Sequence, residues 1–298
     1  MLICDVELTS VDPATAGHRY AELLEVTPTI FADRAELVVG QSRLLIVTGE
    51  SGPGAHHLAF TVPGRWFDAA VDRLSNRAGL LAAQGRTWFE GPPHWNSLSV
   101  YFAGPGGAVL EFIQRRDLAD EPLMEQASPG SAIAGISEIG VAARDVPELR
   151  LHLADDFGLE PFGSPFADFA PIGDQHGLLI CVGPDRPWYP EGVQRSHGGQ
   201  LRVTWRPRAA AASSPSTRIL GIGCSCRVTE QLRPIDDRLV GILTTALMRA
   251  VAGSVWQDRW HAAAGGSALT QPGPSSCSLG EETSCQIVRP PVRRRLDC

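Results

Sequence analysis

At 298 residues the chain has room for one large domain or two modest ones with real cores, and 43% hydrophobic against 20% charged residues is the balance of a soluble globular protein. A formal net charge of -7 argues against a nucleic-acid binder, which must neutralise phosphates, although every basic residue is arginine and none is lysine. No apolar run approaches the roughly 20 residues that cross a bilayer, and Met1-Leu2-Ile3-Cys4-Asp5 has neither a basic n-region nor a long apolar h-region. The expectation is a cytoplasmic protein with no membrane and no nucleic-acid partner.

In chain order, three segments open alike: CDVELTSVDPATAGHRYAELLEV, HHLAFTVPGRWFDAAVDRLSNRAG and SEIGVAARDVPELRLHLADDFGLE. Each begins as a short alternating strand, turns at or near a proline, and continues as an amphipathic helix in which apolar residues recur three or four apart, as at Leu149, Leu153 and Phe157. Strand-like pieces follow each helix: AELVVG and RLLIVT, then SLSVYFAG and AVLEFIQR, then FADFAPIG and GLLICVG. The repeating unit is therefore βα followed by two or three strands, and it occurs about three times. QLRVTWRP at 200–207 reads as the opening strand of a fourth copy that is not completed.

Beyond residue 207 the composition turns to Pro, Gly and Ser, and the segment 208–298 reads as an irregular, poorly ordered extension. One helix is expected within it at 236–260, where Leu239, Leu243, Leu247, Val251 and Val255 form a stripe. Five of the seven cysteines lie in this extension, at spacings that match no paired zinc motif.

Side chains on a strand alternate faces, which sorts the candidates for chemistry. Leu58, Phe60 and Val62 belong on the helix side of their strand, leaving His57, Ala59 and Thr61 on the other; Asp5 and Glu7 oppose Val6 and Leu8, and Glu111 opposes Leu110 and Phe112. If the first two copies share one curved sheet, Asp5, Glu7, His57 and Glu111 converge on its concave side. An imidazole with carboxylates suits a divalent ion such as Fe, Zn, Mn or Ni. The alternative is plainer: solvated acids on a strand and a hydrogen-bonded histidine. His56 points away from His57 and reads as structural, and His94 sits in a loop able to reach the mouth of the cup or to face water.

HHLAFTVP, the run Tyr101-Phe102-Ala103-Gly104-Pro105-Gly106-Gly107-Ala108-Val109-Leu110-Glu111 and the repeated βα unit together resemble the vicinal oxygen chelate superfamily of glyoxalases, extradiol dioxygenases and bleomycin-resistance proteins. The resemblance covers residues 1 to about 207 and is best at 52–115. It implies an α+β fold of βαβββ modules paired into a curved mixed sheet, with a metal on the first and last strands of each module. Carried over by position, His57 and Glu111 take the second module's ligand places, Asp5 stands where the first module commonly has histidine, and Leu45 cannot serve as the last-strand ligand. In the third module the corresponding positions are Glu138 and Leu179, with His176 just before that strand.

The resemblance thus implies paired first and second modules at 1–120, a partial third module at 131–207, and a divalent metal held by Asp5, His57 and Glu111. Glu111 or Glu7 would act as ligand or general base, and Tyr101, Trp95 and Thr61 would line the substrate pocket. The implied function is a metal-dependent enzyme of the glyoxalase or dioxygenase type, chelating adjacent oxygens of a small oxygenated metabolite. Its rivals are a non-catalytic, bleomycin-resistance-like binder of small molecules and a degenerate module serving dimerisation, since modules pair within a chain or as a homodimer.

Overall fold

A computed structural model of the chain describes residues 1–52, 54–196 and 200–207, with two further strands at 218–222 and 229–230. The first module comprises β1 (Leu2–Ser10), α1 (Pro13–Leu24), β2 (Pro28–Ile30), β3 (Arg34–Val39) and β4 (Ser42–Thr48). The second comprises β5 (His57–Thr61), α2 (Gly64–Ser75), β6 (Phe89–Glu90), β7 (Ser97–Ala103) and β8 (Val109–Arg115). A short α3 (Asp120–Gln126) leads to the third module, β9 (Gly135–Ala142), α4 (Val146–Phe157), β10 (Phe169–Asp174) and β11 (Gly177–Val182). The chain then adds β12 (Leu201–Arg206), β13 (Arg218–Ile222) and β14 (Thr229–Glu230).

The helices start where local chemistry favours it. Asp12 and Asp145 each accept a hydrogen bond from the backbone N–H three residues on, and a proline follows in the first turn of both helices. α4 ends on Gly158 in the left-handed conformation. Val146, Leu149, Leu153 and Phe157 are its buried stripe, as the spacing predicts. Leu58, Phe60 and Val62 likewise join Phe67, Ala70, Val71 and Leu74 of α2 in the main core.

Two seven-stranded sheets result, in the orders β14-β13-β12-β1-β4-β3-β2 and β10-β11-β9-β5-β8-β7-β6. Within each module the first and last strands run parallel, bridged by the helix: β1 with β4, β5 with β8, β9 with β11. Between modules the first strands pair antiparallel, β5 with β9 and β1 with β12. The α+β class and the curved mixed sheet of repeated modules therefore stand, but the partners differ from those expected. The second module shares its sheet with the third, and the first with the opening strand of the fourth copy, β12. Two strands, β13 and β14, fall inside the stretch expected to be irregular, and the helix expected at 236–260 lies outside the described residues. No helix among the described residues is long and apolar enough to cross a membrane.

Candidate metal centre

Pairing of β5 with β9 decides which side chains meet. Parity puts His57 on the face of β5 opposite to Leu58, and the parallel register of β5 and β8 sets Glu111 beside Ala59. The antiparallel register of β9 sets Glu138 beside Ala59 from the other side. His57, Glu111 and Glu138 consequently bring one ligand atom each to within 4.8 Å of one another, all three residues buried, a grouping that can hold a metal ion. His57 Nε2 lies 3.5 Å from Glu111 Oε2 and 3.8 Å from Glu138 Oε2. The residues are 6%, 3% and 2% exposed, so their charges are answered by neighbouring groups, the imidazole and the buried Arg115, and not by bulk water.

Neighbours orient the three. His57 Nδ1 is 3.1 Å from the Val109 carbonyl oxygen; with the proton on Nδ1 it donates there and leaves Nε2 to face the carboxylates. Ser99 and Tyr101 hydrogen-bond to Glu111. The guanidinium of Arg115, itself buried on β8, pairs through Nη2 with Glu138 Oε1, donates from Nε to Ser137 Oγ at 3.2 Å, and lies 5.4 Å above the Trp95 ring. Its Nη1 is buried with no hydrogen-bond partner.

Electrostatics follow from burial and crowding. Glu111 is pushed up to about 7 by burial and by the charge of Glu138, against the opposing pull of His57, Ser99 and Arg115. Burial alone would lower His57, but the close approach of the Glu138 and Glu111 carboxylates and the Val109 carbonyl outweigh it and raise the imidazole above its ordinary range. Tyr101 is held well above a normal phenol, first by burial and then by the two carboxylates, and so stays protonated. One neutral imidazole nitrogen and two carboxylates form a donor set that suits a borderline divalent ion, and one of those carboxylates, Glu138, is already anchored through Oε1 by Arg115.

The other predicted residues fall as follows. Asp5 lies in the other sheet, paired with Arg43 (Nε to Oδ1 2.6 Å), and Glu7 faces Arg202 at 4.0 Å. The convergence of Asp5 and Glu7 with His57 is thus corrected: β1 pairs with β12 and not with β5, and each acid has an arginine partner instead. Tyr101 stands opposite Glu111 in register, and Trp95 and Tyr101 pack against a small second core of Val109, Ile180 and Trp188. Thr61 is buried, two alternations along β5 from His57, and its neighbours in register are Ile113 and Gly135. His94 packs beside Trp95 and Phe162, and His176 sits in the β10–β11 turn. Burial pushes His56 down to about 4, keeping it neutral.

Glu138 was visible in the sequence as the third module's first-strand position, but no local signal tied it to His57. The register also moves the last-strand position. Gly140, two residues beyond Glu138, pairs with Ile180, as Ala59, two beyond His57, pairs with Glu111, so the fourth place belongs to Ile180. Leu179 faces the main core instead.

No protein-family model matches the chain, and no curated protein matches it. Solved structures with a similar fold include a candidate dioxygenase from Bacillus subtilis, at 14% identity over 74% of this chain and 81% of that one, with a TM-score of 0.44. They also include a glyoxalase/bleomycin resistance protein/dioxygenase from Nocardioides, at 19% identity over 41% of this chain and 87% of that one, with a TM-score of 0.33. A lactoylglutathione lyase from Agrobacterium tumefaciens is a third, at 16% identity over 38% of this chain and 92% of that one, with a TM-score of 0.31.

Proposed function

We propose that the sheet shared by the second and third modules carries a single divalent metal ion, held by His57, Glu111 and Glu138, and that the protein is an enzyme of the vicinal oxygen chelate type acting on a small oxygenated metabolite. The observation that carries this reading is the convergence of the three buried donors within 4.8 Å. A divalent ion there would polarise adjacent oxygens of a chelating substrate and stabilise negative charge on them. Around it the chain's own residues divide the work. Arg115 fixes Glu138 and the Val109 carbonyl fixes the imidazole, while Glu111, which titrates at about 7 without an ion, would be held as the carboxylate by the ion it ligates.

A second reading, a binder that works without metal, draws support from Ile180 at the fourth ligand place and from the Arg115 pair that satisfies Glu138 unaided. Elemental analysis of tag-free protein after dialysis against metal-free buffer separates the two. Wild type and Asp5→Ala are expected to hold about one transition metal per chain, and His57→Ala and Glu138→Ala almost none. Metal-free wild type would select the binder.

A further inference from the structure

The cluster is covered. Between β11 and β12 the segment 183–196 doubles back across the cup, held by its own backbone bonds: Trp188 N–H to the Gln194 carbonyl (2.8 Å), Ser196 N–H to Arg186 (2.8 Å) and Asp185 N–H to Ser196 (2.7 Å). Its tip is tied to the residue two before His57, with Ala55 N–H donating to the Arg195 carbonyl and the Trp188 indole N–H donating to the Ala55 carbonyl, each at 2.9 Å. The Trp188 ring then rests on the His57 imidazole, centroids 5.1 Å apart. Tyr189 packs edge-on against both Phe89 and Tyr101, with half its surface in water.

The strand beneath is shaped for this contact. A side chain at Gly140 would bring Cβ to 2.6 Å from the Trp188 ring, so only glycine leaves the indole room beside His57. On the outer side of the same segment lies a cleft of about 640 Å³, lined by Tyr189, Pro190 and Glu191 and by Ala82, Gln84 and Arg86 across from them. Tyr189 thus forms part of the cleft wall and packs on Tyr101, the register partner of Glu111.

We propose that the strap 183–196 is a gate, with Trp188 as its bolt: a small molecule enters by the cleft beside Arg86, and reaches His57, Glu111 and Glu138 only when Trp188 leaves the imidazole. This rests on reading the cluster as the binding centre. Beyond the two rings, the strap is anchored by the Arg186–Asp168 ion pair, by Arg186 over the Phe169 ring and by its two bonds to Ala55, and its backbone makes no hydrogen bond to β5, β8 or β9 that would have to break on opening.

The test uses full-length, metal-free protein, so that it does not depend on metal occupancy. Carbethoxylation of His57 by diethyl pyrocarbonate is followed by peptide mass spectrometry, with exposed His18 as the reference in the same sample. Trp188→Ala is expected to raise the His57 rate about tenfold or more over wild type with His18 unchanged, and Trp188→Phe, which keeps a ring on the imidazole, to stay within about twofold. Gly140→Ala, which crowds the indole from below, should accelerate it as well. A His57 rate in Trp188→Ala equal to wild type would overturn the gate. Should that variant fail to fold, native-state hydrogen exchange of wild type decides: Trp188 and Ser196 amides exchanging about tenfold faster than those of β5 and β8 support the gate, and equal protection refutes it. Absence of metal in wild type, with these rates as expected, would remove the metal reading and leave a gated pocket.

Discussion

Glu111 sits beside a second carboxylate, out of contact with water, and its ionisation is unfavourable for both reasons. Folded, it titrates at about 7 against an ordinary 4.5, so between those values the native protein keeps a proton that the unfolded chain has released. Stability of the metal-free protein therefore falls as pH rises through that window. His57, raised above its ordinary 6.5, acts in the same direction from that pH upward. Glu111→Gln, a neutral isostere, removes the larger part of this dependence. The stability difference between variant and metal-free wild type should move in the variant's favour by about 1 to 3 kcal/mol between pH 5 and pH 8 in urea unfolding. An unchanged difference would place Glu111 in a less crowded setting than the one described.

At the scale of elements, the modules depend on close approach of helix to sheet. Gly17 is buried in the middle of α1, where glycine costs a helix about 1 kcal/mol relative to alanine. A Cβ there would lie 2.4 Å from the Ala35 Cβ on β3, closer than non-bonded carbons approach. Gly17→Ala should accordingly destabilise, by about 1 to 2 kcal/mol net in chemical denaturation, in spite of its better helix propensity. A more stable variant would show that α1 can shift off β3 freely. Parity inside each strand was legible in the sequence: Leu58, Phe60 and Val62 on the helix side, with His57 on the other, follow from period two alone. A single register step was not, and it replaces Leu179 by Ile180 at the fourth ligand place.

Across the whole molecule, one apolar core runs through both sheets, from Ile3, Val6 and Leu44 to Phe60, Phe112 and Leu153. Trp205 on β12 joins them: it belongs to the first sheet and packs on Phe157 of α4, the helix of the third module, at 5.1 Å. Its side chain is almost wholly buried, so Trp205→Ala is expected to cost about 3 to 5 kcal/mol. Near-ultraviolet circular dichroism and helix-sensitive far-ultraviolet signals should melt together in that variant, at a lower temperature. Separate transitions would mean that the two sheets fold independently.

The amino-acid sequence by itself determined the repeat, the α+β modules, the faces of each strand and two members of the candidate centre, His57 and Glu111. These rest on spacing within a dozen residues, where propensity, capping and alternation act. Only the tertiary structure decided which modules share a sheet. Pairing β5 with β9 and β1 with β12 is a long-range choice among edges of similar alternation, and nothing in an isolated strand distinguishes one partner from another. That choice exchanged Asp5 for Glu138, gave Asp5 and Glu7 arginine partners in the other sheet, and brought Trp188, more than 130 residues downstream in the chain, onto the face of His57.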